Sequence, residues 1–227
     1  METFRRYEKK YLLAIDQYLK LMEKLTGYVK EDKFSKTEIH SIYYDTDDYQ
    51  LIRRSIEKPE YKEKLRARSY GTSKGDDPVY IELKKKLDGI VYKRRTKAFC
   101  DDVLNDISSA SFRDEQVGNE IRYALNYYGK IAPKIYIGSV RTSYVAIDDE
   151  KLRITFDEDL RYRIKDLSFS RSIEDRKLCD RIVMELKVAG AMPLWLSAIL
   201  DEVKAYPRGF SKVGTAFEKE IRRSVTL

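Results

Sequence analysis

The pattern that most constrains this fold is a regular alternation of basic and apolar residues in several short segments. In residues 61–70, for example, Lys64, Arg66 and Arg68 alternate with Leu65 and Ala67. Successive side chains of a β-strand point to opposite faces of the sheet. The segment is therefore predicted to be a strand with one apolar face and one cationic face.

Four other segments repeat this alternation, namely residues 79–87, 90–97, 152–157 and 181–188. Several of these segments have an apolar side, and their polar sides are mostly cationic. Single acidic residues (Glu82, Asp157 and Glu185) lie among the cations of the polar sides. The basic residues of these sides are Lys84, Lys86, Lys93, Arg95, Lys97, Lys151, Arg153, Arg181 and Lys187.

The pattern of the whole chain predicts an α+β fold in which helices separate strands. Strands are predicted at residues 4–13, 39–44, 61–70, 79–87, 90–99, 133–147, 152–157, 160–164 and 181–188. Asp88-Gly89 predicts a hairpin turn. Five helices are predicted. The first runs from an N-cap at Asp16 to residue 27, the second follows residues 45–47 and ends at residue 54, and the third covers residues 114–128. The fourth is a short helix that begins at Pro193, and the fifth runs from an N-cap at Ser211 to residue 223. Residues 166–175 are predicted to form a loop, and the length predicts a single domain over residues 1–227.

Composition excludes several classes of function. The net charge of +7 and the pI of about 9.1 indicate an anionic partner. His40 is the only histidine, which argues against His-triad and multi-histidine metal chemistry. Cys100 and Cys179 cannot supply a disulfide framework or a four-cysteine zinc site. Since there is no long apolar run and no signal-peptide pattern, we expect a cytoplasmic protein with no membrane segment of its own.

The cationic faces allow two interpretations. In the first, the sheet buries its apolar face and exposes its charged face to water. In the second, the helices cover the apolar faces from outside, and a closed sheet gathers the cations around a lumen. Like charges in a lumen are costly unless an anion offsets them. The forked guanidinium group of arginine and the point charge of lysine both suit phosphate oxygens, so the second interpretation predicts a bound polyanion that carries phosphate groups.

Short motifs follow one another along nearly the whole chain. They are Arg6-Tyr7-Glu8-Lys9-Lys10-Tyr11, Tyr43-Tyr44-Asp45-Thr46, Lys64-Leu65-Arg66-Ala67-Arg68, Ile81-Glu82-Leu83-Lys84, Val91-Tyr92-Lys93-Arg94-Arg95, Arg141-Thr142-Ser143-Tyr144, Leu152-Arg153-Ile154-Thr155-Phe156-Asp157, Met184-Glu185-Leu186-Lys187 and Phe210-Ser211-Lys212. In this order and spacing they resemble the VTC domain, the polyphosphate polymerase domain of the vacuolar transporter chaperone complex. That family belongs to the triphosphate tunnel metalloenzymes, as do the CYTH phosphatases, and bacteria have stand-alone versions.

The resemblance implies a closed antiparallel β-tunnel with helices packed on the outside. It also implies transfer of the γ-phosphoryl group of ATP onto a polyphosphate chain, with Mn²⁺ or Mg²⁺ as the cofactor. The expected partners are ATP and polyphosphate, triphosphate or pyrophosphate, and a separate membrane protein is a further possible partner. Nucleic acid is not expected, because its binding would require an exposed basic face with stacking aromatic residues.

The resemblance also assigns roles to residues of this chain. The expected catalytic residues, which grip the nucleotide phosphates or contact the transferring phosphate, are Lys10, Arg66, Arg68, Lys84, Arg141 and Lys212. The expected substrate-binding residues are Arg6, Lys93, Arg95, Arg153, Lys187 and Ser211. The expected metal ligands are Glu185, Glu8 and Glu82. Tyr43, Tyr44 and Tyr144 are expected to pack in the protein, with stacking on adenine as the alternative.

One motif departs from the CYTH phosphatases, which begin with E-x-E-x-K. In this chain the matching positions are Arg6, Glu8 and Lys10, so a cation replaces the first carboxylate. The change argues against a two-metal phosphatase site and suits a site with more phosphate and fewer metals. A metal-dependent triphosphatase of the same fold and a non-catalytic polyanion-binding module remain alternatives.

Overall fold

The computed structural model describes residues 7–57, 59–88 and 90–222, in which long strands alternate with short helices. The strands are β1 (Tyr7–Leu13), β2 (Val29–Asp45), β3 (Tyr61–Tyr70), β4 (Pro78–Leu87), β5 (Ile90–Phe99), β6 (Ala132–Ala146), β7 (Arg153–Arg163), β8 (Arg176–Lys177) and β9 (Ile182–Val188). The helices are α1 (Ile15–Leu25), α2 (Gln50–Glu57), α3 (Cys100–Asp106), α4 (Glu115–Tyr128), α5 (Leu194–Glu202) and α6 (Lys212–Phe217), and a π-helical turn (Glu218–Arg222) follows α6.

The strands form one large sheet with the order β1-β9-β7-β6-β2-β3-β4-β5, and β8 pairs with β7. The pairs β1–β9, β7–β9, β2–β3, β3–β4 and β4–β5 are all antiparallel. The α+β class is therefore confirmed. In the described ranges, β1 and β5 end the order and do not pair with each other, so hydrogen bonds do not close the sheet.

The chain divides into two compact units. Unit 1 contains the described residues of 1–38, 139–160 and 179–210. Unit 2 contains those of 39–138, 161–178 and 211–227. The expectation of a single domain over residues 1–227 stays a prediction. Within the described residues, no helix has both the length and the apolarity needed to cross a bilayer.

In unit 2, helices cover the apolar faces of the strands, as the alternation predicted. Leu65 of β3 and Leu83 of β4 are buried in a core to which α3 contributes Val103 and α4 contributes Ile121 and Leu125. Asp114 begins α4 by accepting a hydrogen bond from the backbone nitrogen of Val117 at 3.1 Å. Because the apolar sides of β3 and β4 are used for this core, their basic sides lie on the opposite face of the sheet.

Unit 1 follows the same rule with different helices. The buried residues of β1, β7 and β9 pack with residues of α1 and α5. Leu21 and Leu25 come from α1, and Leu196 and Leu200 come from α5. Trp195 packs against this core and stacks on Tyr28 with ring centroids 4.5 Å apart. The polar sides of the three strands again lie opposite the helix-covered face.

Three sequence predictions of strands and helices need correction. Strand β2 begins at Val29, not at residue 39, because its first half is polar and lacks the alternation that signals a strand. Residues 153–163 form one strand instead of two, although Asp159 inside it has a positive φ of 44°. Helix α3 was not predicted, since its seven residues are too few to show a helical period.

Two helix ends also differ. Ala14 is the N-cap of α1, so Asp16 lies in the first turn, where its charge still favours the helix dipole. Ser211 caps α6 as predicted, but the α-helix ends at Phe217 and continues as the π-helical turn. Residues 4–6 of the first predicted strand, Gly89 of the hairpin and residue 223 lie outside the described residues.

The carboxylate of Asp45 holds the beginning of α2. It is fully buried and accepts hydrogen bonds from the backbone nitrogens of Thr46 at 2.8 Å, Leu51 at 2.9 Å and Ile52 at 2.8 Å. Asp45→Ala leaves these donors without a partner, so we expect it to lower the free energy of unfolding by about 1–3 kcal/mol. Urea unfolding followed by circular dichroism measures the change.

The control for this prediction is Asp76→Ala, which removes an exposed carboxylate from a turn. We expect the control to change the free energy of unfolding by less than about 0.5 kcal/mol. Equal effects of the two substitutions would contradict the assignment of Asp45 as the residue that holds α2.

Candidate functional site

Basic residues of three neighbouring strands face one another on unit 2. Across β3, β4 and β5, the register places Lys64 opposite Lys84 and Lys84 opposite Lys93. In the next row, Arg66 lies opposite Glu82, and Glu82 lies opposite Arg95. We call this surface the Arg66 face; its residues are Tyr43, Lys64, Arg66, Arg68, Glu82, Lys84, Lys93 and Arg95.

The row of three lysines is unfavourable in the absence of an anion. Like charges directly opposite each other destabilise paired strands. Burial lowers the pKa of Lys93, and repulsion from Arg66 and Arg68 adds to this effect, while the attraction of Glu82 opposes it. The row therefore gives this surface a local excess of positive charge, which Glu82 offsets in part, at Lys93.

Glu82 is the acidic residue of the Arg66 face. Its side chain is 1% exposed, its Oε2 accepts a hydrogen bond from Arg66 Nε at 2.7 Å, and the same oxygen forms an ion pair with Arg66 Nη2 at 2.6 Å. Its Oε1 lies 2.6 Å from Lys93 Nζ and 3.5 Å from Arg95 Nε. Burial opposes ionisation of this carboxyl group, but Arg66, Arg68 and Lys93 hold its pKa well below the usual range. Glu82 thus fixes three cations in place, and its expected role as a metal ligand stays a prediction.

Tyr43 holds Arg66 from the other side. Arg66 Nη1 donates a hydrogen bond to Tyr43 Oη at 3.0 Å, and Tyr43 lies opposite Arg66 in the β2–β3 register. Burial alone would raise the pKa of Tyr43, but Arg66, Lys64 and Arg68 outweigh it and lower the pKa to about 7. Sequence reasoning missed this role; the available signal was that Ser41 and Tyr43 fall on the side of the strand opposite Ile42 and Tyr44.

Two further predicted residues lie at the Arg66 face. Arg68 is buried and its Nε donates a hydrogen bond to Ser41 Oγ at 3.1 Å. Lys64 Nζ donates to Ser211 Oγ at 3.2 Å, which brings the predicted substrate-binding Ser211 to this surface. Lys212 is the first residue of α6, directly after the Ser211 cap.

A second group of charges occurs in unit 1, and we call it the Arg141 cluster; its residues are Lys10, Arg141, Asp157 and Glu185. Arg141 binds Asp157 through two hydrogen bonds, Nε to Oδ1 at 2.7 Å and Nη2 to Oδ2 at 2.6 Å. Arg141 Nη2 is also 3.7 Å from Glu185 Oε2, and Lys10 Nζ is 3.5 Å from Glu185 Oε1. Two cations and two carboxylates alternate here, so the cluster is close to neutral.

Asp157 is the residue of this cluster that sequence reasoning did not assign. Its side chain is fully buried, and the two-point contact with Arg141 fixes the direction of the guanidinium group. The alternation of residues 152–157 placed Asp157 on the polar side of its strand, but the identity of its partner depends on which strands are neighbours.

The remaining predicted residues of unit 1 flank the Arg141 cluster. Glu8 lies opposite Lys187, and Lys187 lies opposite Arg153. The Arg153 side chain is half exposed, and its Nη1 is 3.7 Å from Asp32 Oδ2. Glu8 is exposed. Arg6, a predicted substrate-binding residue, lies outside the described residues.

The donor set available for a divalent metal is small. Among the described residues, no three His, Cys, Asp or Glu side chains gather into a group that could hold a metal ion. Glu185 lies opposite Thr155, whose buried Oγ1 has no hydrogen-bond partner in this part of the chain. Mg²⁺ and similar cations are often bound by one or two carboxylates together with water and substrate phosphates. The residues therefore fit a cation that arrives with phosphate.

Solved structures show a similar fold. A candidate adenylate cyclase from Bacillus halodurans matches with 15% identity and a TM-score of 0.55, over 90% of this chain and 92% of its own. A candidate adenylyl cyclase from Hippeastrum, described as having a dominant triphosphatase activity, matches with 15% identity and a TM-score of 0.50, over 94% and 96% of the two chains. At this identity the likeness concerns the fold alone.

No curated protein matches this sequence. The family model of the VTC domain, in contrast, matches residues 5–220, and this range contains every candidate site residue of both units. The resemblance inferred from the ordered motifs is thereby confirmed: the chain belongs to the VTC domain family.

Proposed function

We propose that this protein is a polyphosphate polymerase that transfers the γ-phosphoryl group of ATP onto the end of a polyphosphate chain. The observation that supports the proposal most is the Arg66 face, where rows of cations have one buried carboxylate among them. The excess positive charge suits a ligand with many negative charges, and guanidinium groups donate paired hydrogen bonds to phosphate.

The proposed reaction needs little covalent help from the protein. An oxygen of the terminal phosphate of the chain attacks the γ-phosphorus, the bond from that phosphorus to the β–γ bridging oxygen breaks, and ADP leaves. The attacking oxygen is already ionised, so no general base is needed. This agrees with the position of His40, which is buried with its Nδ1 2.7 Å from Tyr136 Oη. Catalysis then depends on alignment and neutralisation of phosphate charge.

The residues of unit 2 have distinct roles in this proposal. Arg66, held by Glu82 and Tyr43, presents its remaining donor capacity to phosphate without reorganisation. Arg68 and Lys84 share the grip on the nucleotide, and Lys212 contacts the transferring phosphate. The substrate-binding residues of this unit are Lys93, Arg95 and Ser211.

In unit 1, the two-point contact with Asp157 orients Arg141 for the nucleotide phosphates. Lys10 contacts the transferring phosphate, while Arg153 and Lys187 bind the polyphosphate chain. Glu185 is the proposed ligand of a Mn²⁺ or Mg²⁺ ion that enters with ATP, and Glu8 is a further proposed ligand. When bound, the ion neutralises phosphate oxygens.

The closed tunnel and a separate membrane partner, which the family resemblance implies, are further parts of the proposal, as is the cytoplasmic location that the sequence pattern predicts. A second candidate function is hydrolysis of triphosphate, because a triphosphatase activity is described for the Hippeastrum protein of similar fold. In that reaction the same cations would bind the substrate, and water would replace the chain end as the attacking group.

Turnover of ATP with Mn²⁺ tests the proposal. Arg66→Ala removes a preorganised donor to phosphate, so we expect the rate of chain formation to fall roughly 10²- to 10³-fold. Arg94→Ala is the matched control, because Arg94 is an exposed arginine of β5 on the face opposite the Arg66 face, and its Nε lies 3.1 Å from Glu120. We expect the control to keep the wild-type rate within about twofold, since exposed ion pairs contribute little.

The products decide between the candidate functions. Gel analysis that shows polyphosphate chains supports the polymerase. Orthophosphate without chains indicates the triphosphatase, and binding of tripolyphosphate without turnover indicates a non-catalytic module. Equal losses in Arg66→Ala and Arg94→Ala would contradict the assignment of the Arg66 face as the site.

Tyr43 provides a second test, based on its ionisation. Phosphate bound at Arg66, Lys64 and Arg68 would cancel the positive potential that lowers the pKa of Tyr43 to about 7. We therefore expect tripolyphosphate to raise this pKa towards the ordinary value of about 10. Titration of tyrosinate absorbance, with and without tripolyphosphate, measures the shift, and Tyr43→Phe should lack the near-neutral transition.

The sign of the accompanying change in stability follows from the lowered pKa. Ionised Tyr43 stabilises the folded state fully above its unfolded pKa of about 10, and this contribution is lost as the pH falls through about 7. Wild type should thus gain stability relative to Tyr43→Phe as the pH rises between these values. Parallel pH profiles of the two proteins would show that the phenol does not ionise early.

A further inference from the structure

A basic cleft lies beside the end of β5 in unit 2, next to the residues assigned to the proposed reaction. Its volume is about 440 Å³, and it opens widely to solvent. The cleft is formed by the last part of β5 and by the segment that leads into α4. Its lining residues are Tyr80, Arg95, Thr96, Lys97, Arg113 and Asp114.

The charge of this cleft is poorly compensated. Arg95, Lys97 and Arg113 contribute three cations, and Asp114 contributes the one carboxylate of the lining. Asp114 is already used as the N-cap of α4, where it accepts the hydrogen bond from Val117. Within the residues that the structure describes, Lys97 and Arg113 form no ion pair. The cleft therefore favours a ligand with several negative charges.

The aromatic residue of the cleft does not offer a free surface for a nucleobase. The guanidinium carbon of Arg95 lies 3.5 Å from the ring centre of Tyr80, so it covers one face of that ring. Tyr70 approaches the same ring edge-on, with centroids 5.7 Å apart. Arg95 uses one Nη2 donor for a hydrogen bond to Tyr70 Oη at 3.2 Å, and the other N–H donors of its Nη groups match phosphate oxygens. Phosphate is thus favoured over a base.

The cleft continues the Arg66 face. Arg95 Nε is 3.5 Å from Glu82 Oε1, and Glu82 binds Arg66. One row further along the strands, Lys97 lies opposite Tyr80, and Tyr80 lies opposite Arg68. Successive rows on one face of a sheet are about 6.8 Å apart. A phosphate chain that spans the lysine row and the Arg66 row already covers about 6.8 Å, so it reaches Lys97 and Arg113 only when it extends by at least one further row.

We propose that this cleft is a second phosphate subsite, which binds phosphoryl groups of a polyphosphate chain beyond those held at the Arg66 face. It makes the protein select long chains over tripolyphosphate. The inference rests on the proposed function, since it assigns the cleft to the same substrate.

Binding measurements with two ligands test this subsite. Tripolyphosphate and a long-chain polyphosphate are titrated by calorimetry at one fixed ionic strength, because salt screens such contacts. The proteins are wild type, the double variant Lys97→Ala/Arg113→Ala, Arg66→Ala and the control Arg94→Ala. Both altered positions of the double variant are accessible to solvent, and a melting curve checks that it folds.

We expect the double variant to lose affinity for long chains by about tenfold, or about 1.4 kcal/mol, and to keep its affinity for tripolyphosphate within about twofold. Arg66→Ala should lower the affinity for both ligands, and Arg94→Ala should change neither affinity. Arg113→Lys in the Lys97→Ala background should restore part of the affinity for long chains, because it returns the charge.

Three outcomes would overturn the subsite: no loss of affinity for either ligand, an equal loss for both, or a loss confined to tripolyphosphate. The proposed function fails separately. The decisive result is one in which Arg66→Ala leaves both affinities unchanged while the double variant loses affinity for long chains alone. That result would support the cleft as a phosphate subsite and would contradict the assignment of the Arg66 face.

Discussion

The ion pairs of Glu82 reduce the repulsion among the cations of the Arg66 face, and the folded structure of unit 2 depends on this reduction. Three cations lie within 3.5 Å of one buried carboxylate, so part of their mutual repulsion is cancelled. The cancellation is incomplete, because the neighbouring row consists of Lys64, Lys84 and Lys93. The result is a surface whose hydrogen-bond donors are held in place and which keeps a positive charge, as the proposed phosphate ligand requires.

The Arg141 cluster and the Arg66 face differ in the balance between cations and carboxylates. In the Arg141 cluster, two carboxylates balance two cations, and the paired hydrogen bonds to Asp157 set a fixed orientation. In the Arg66 face, cations outnumber carboxylates, and the lowered pKa of Tyr43 reflects the remaining positive potential. A balanced cluster is suited to positioning one group accurately, whereas an unbalanced one is suited to holding a highly charged chain.

The sequence predicted the strand faces well, because their information is local. The period of two in residues 61–70 separated Arg66 and Arg68 from Leu65 and Ala67, and the structure places the latter pair under α3 and α4. The Asp88-Gly89 turn also predicted the pairing of β4 with β5. Local patterns were absent where prediction failed: the polar first half of β2 carries no alternation, and α3 is shorter than two helical turns.

The partners of the site residues could not be predicted, because they depend on strand order. Arg141 and Asp157 are sixteen residues apart and meet only when β6 and β7 are neighbours. Tyr43 acquires its role only from a register that sets it opposite Arg66. A single sequence contains the residue types of such pairs but not the distances between them.

The hydrogen bond from Lys64 to Ser211 links the basic surface to the last described helix. Ser211 Oγ also accepts the hydrogen bond from the backbone nitrogen of Gly214, at 3.2 Å, that caps α6. A phosphate that draws Lys64 away leaves this oxygen with one donor in place of two. The amide of Gly214 then becomes a natural spectroscopic sensor, since its chemical shift reports whether the neighbouring lysine is engaged by an anion or by the serine.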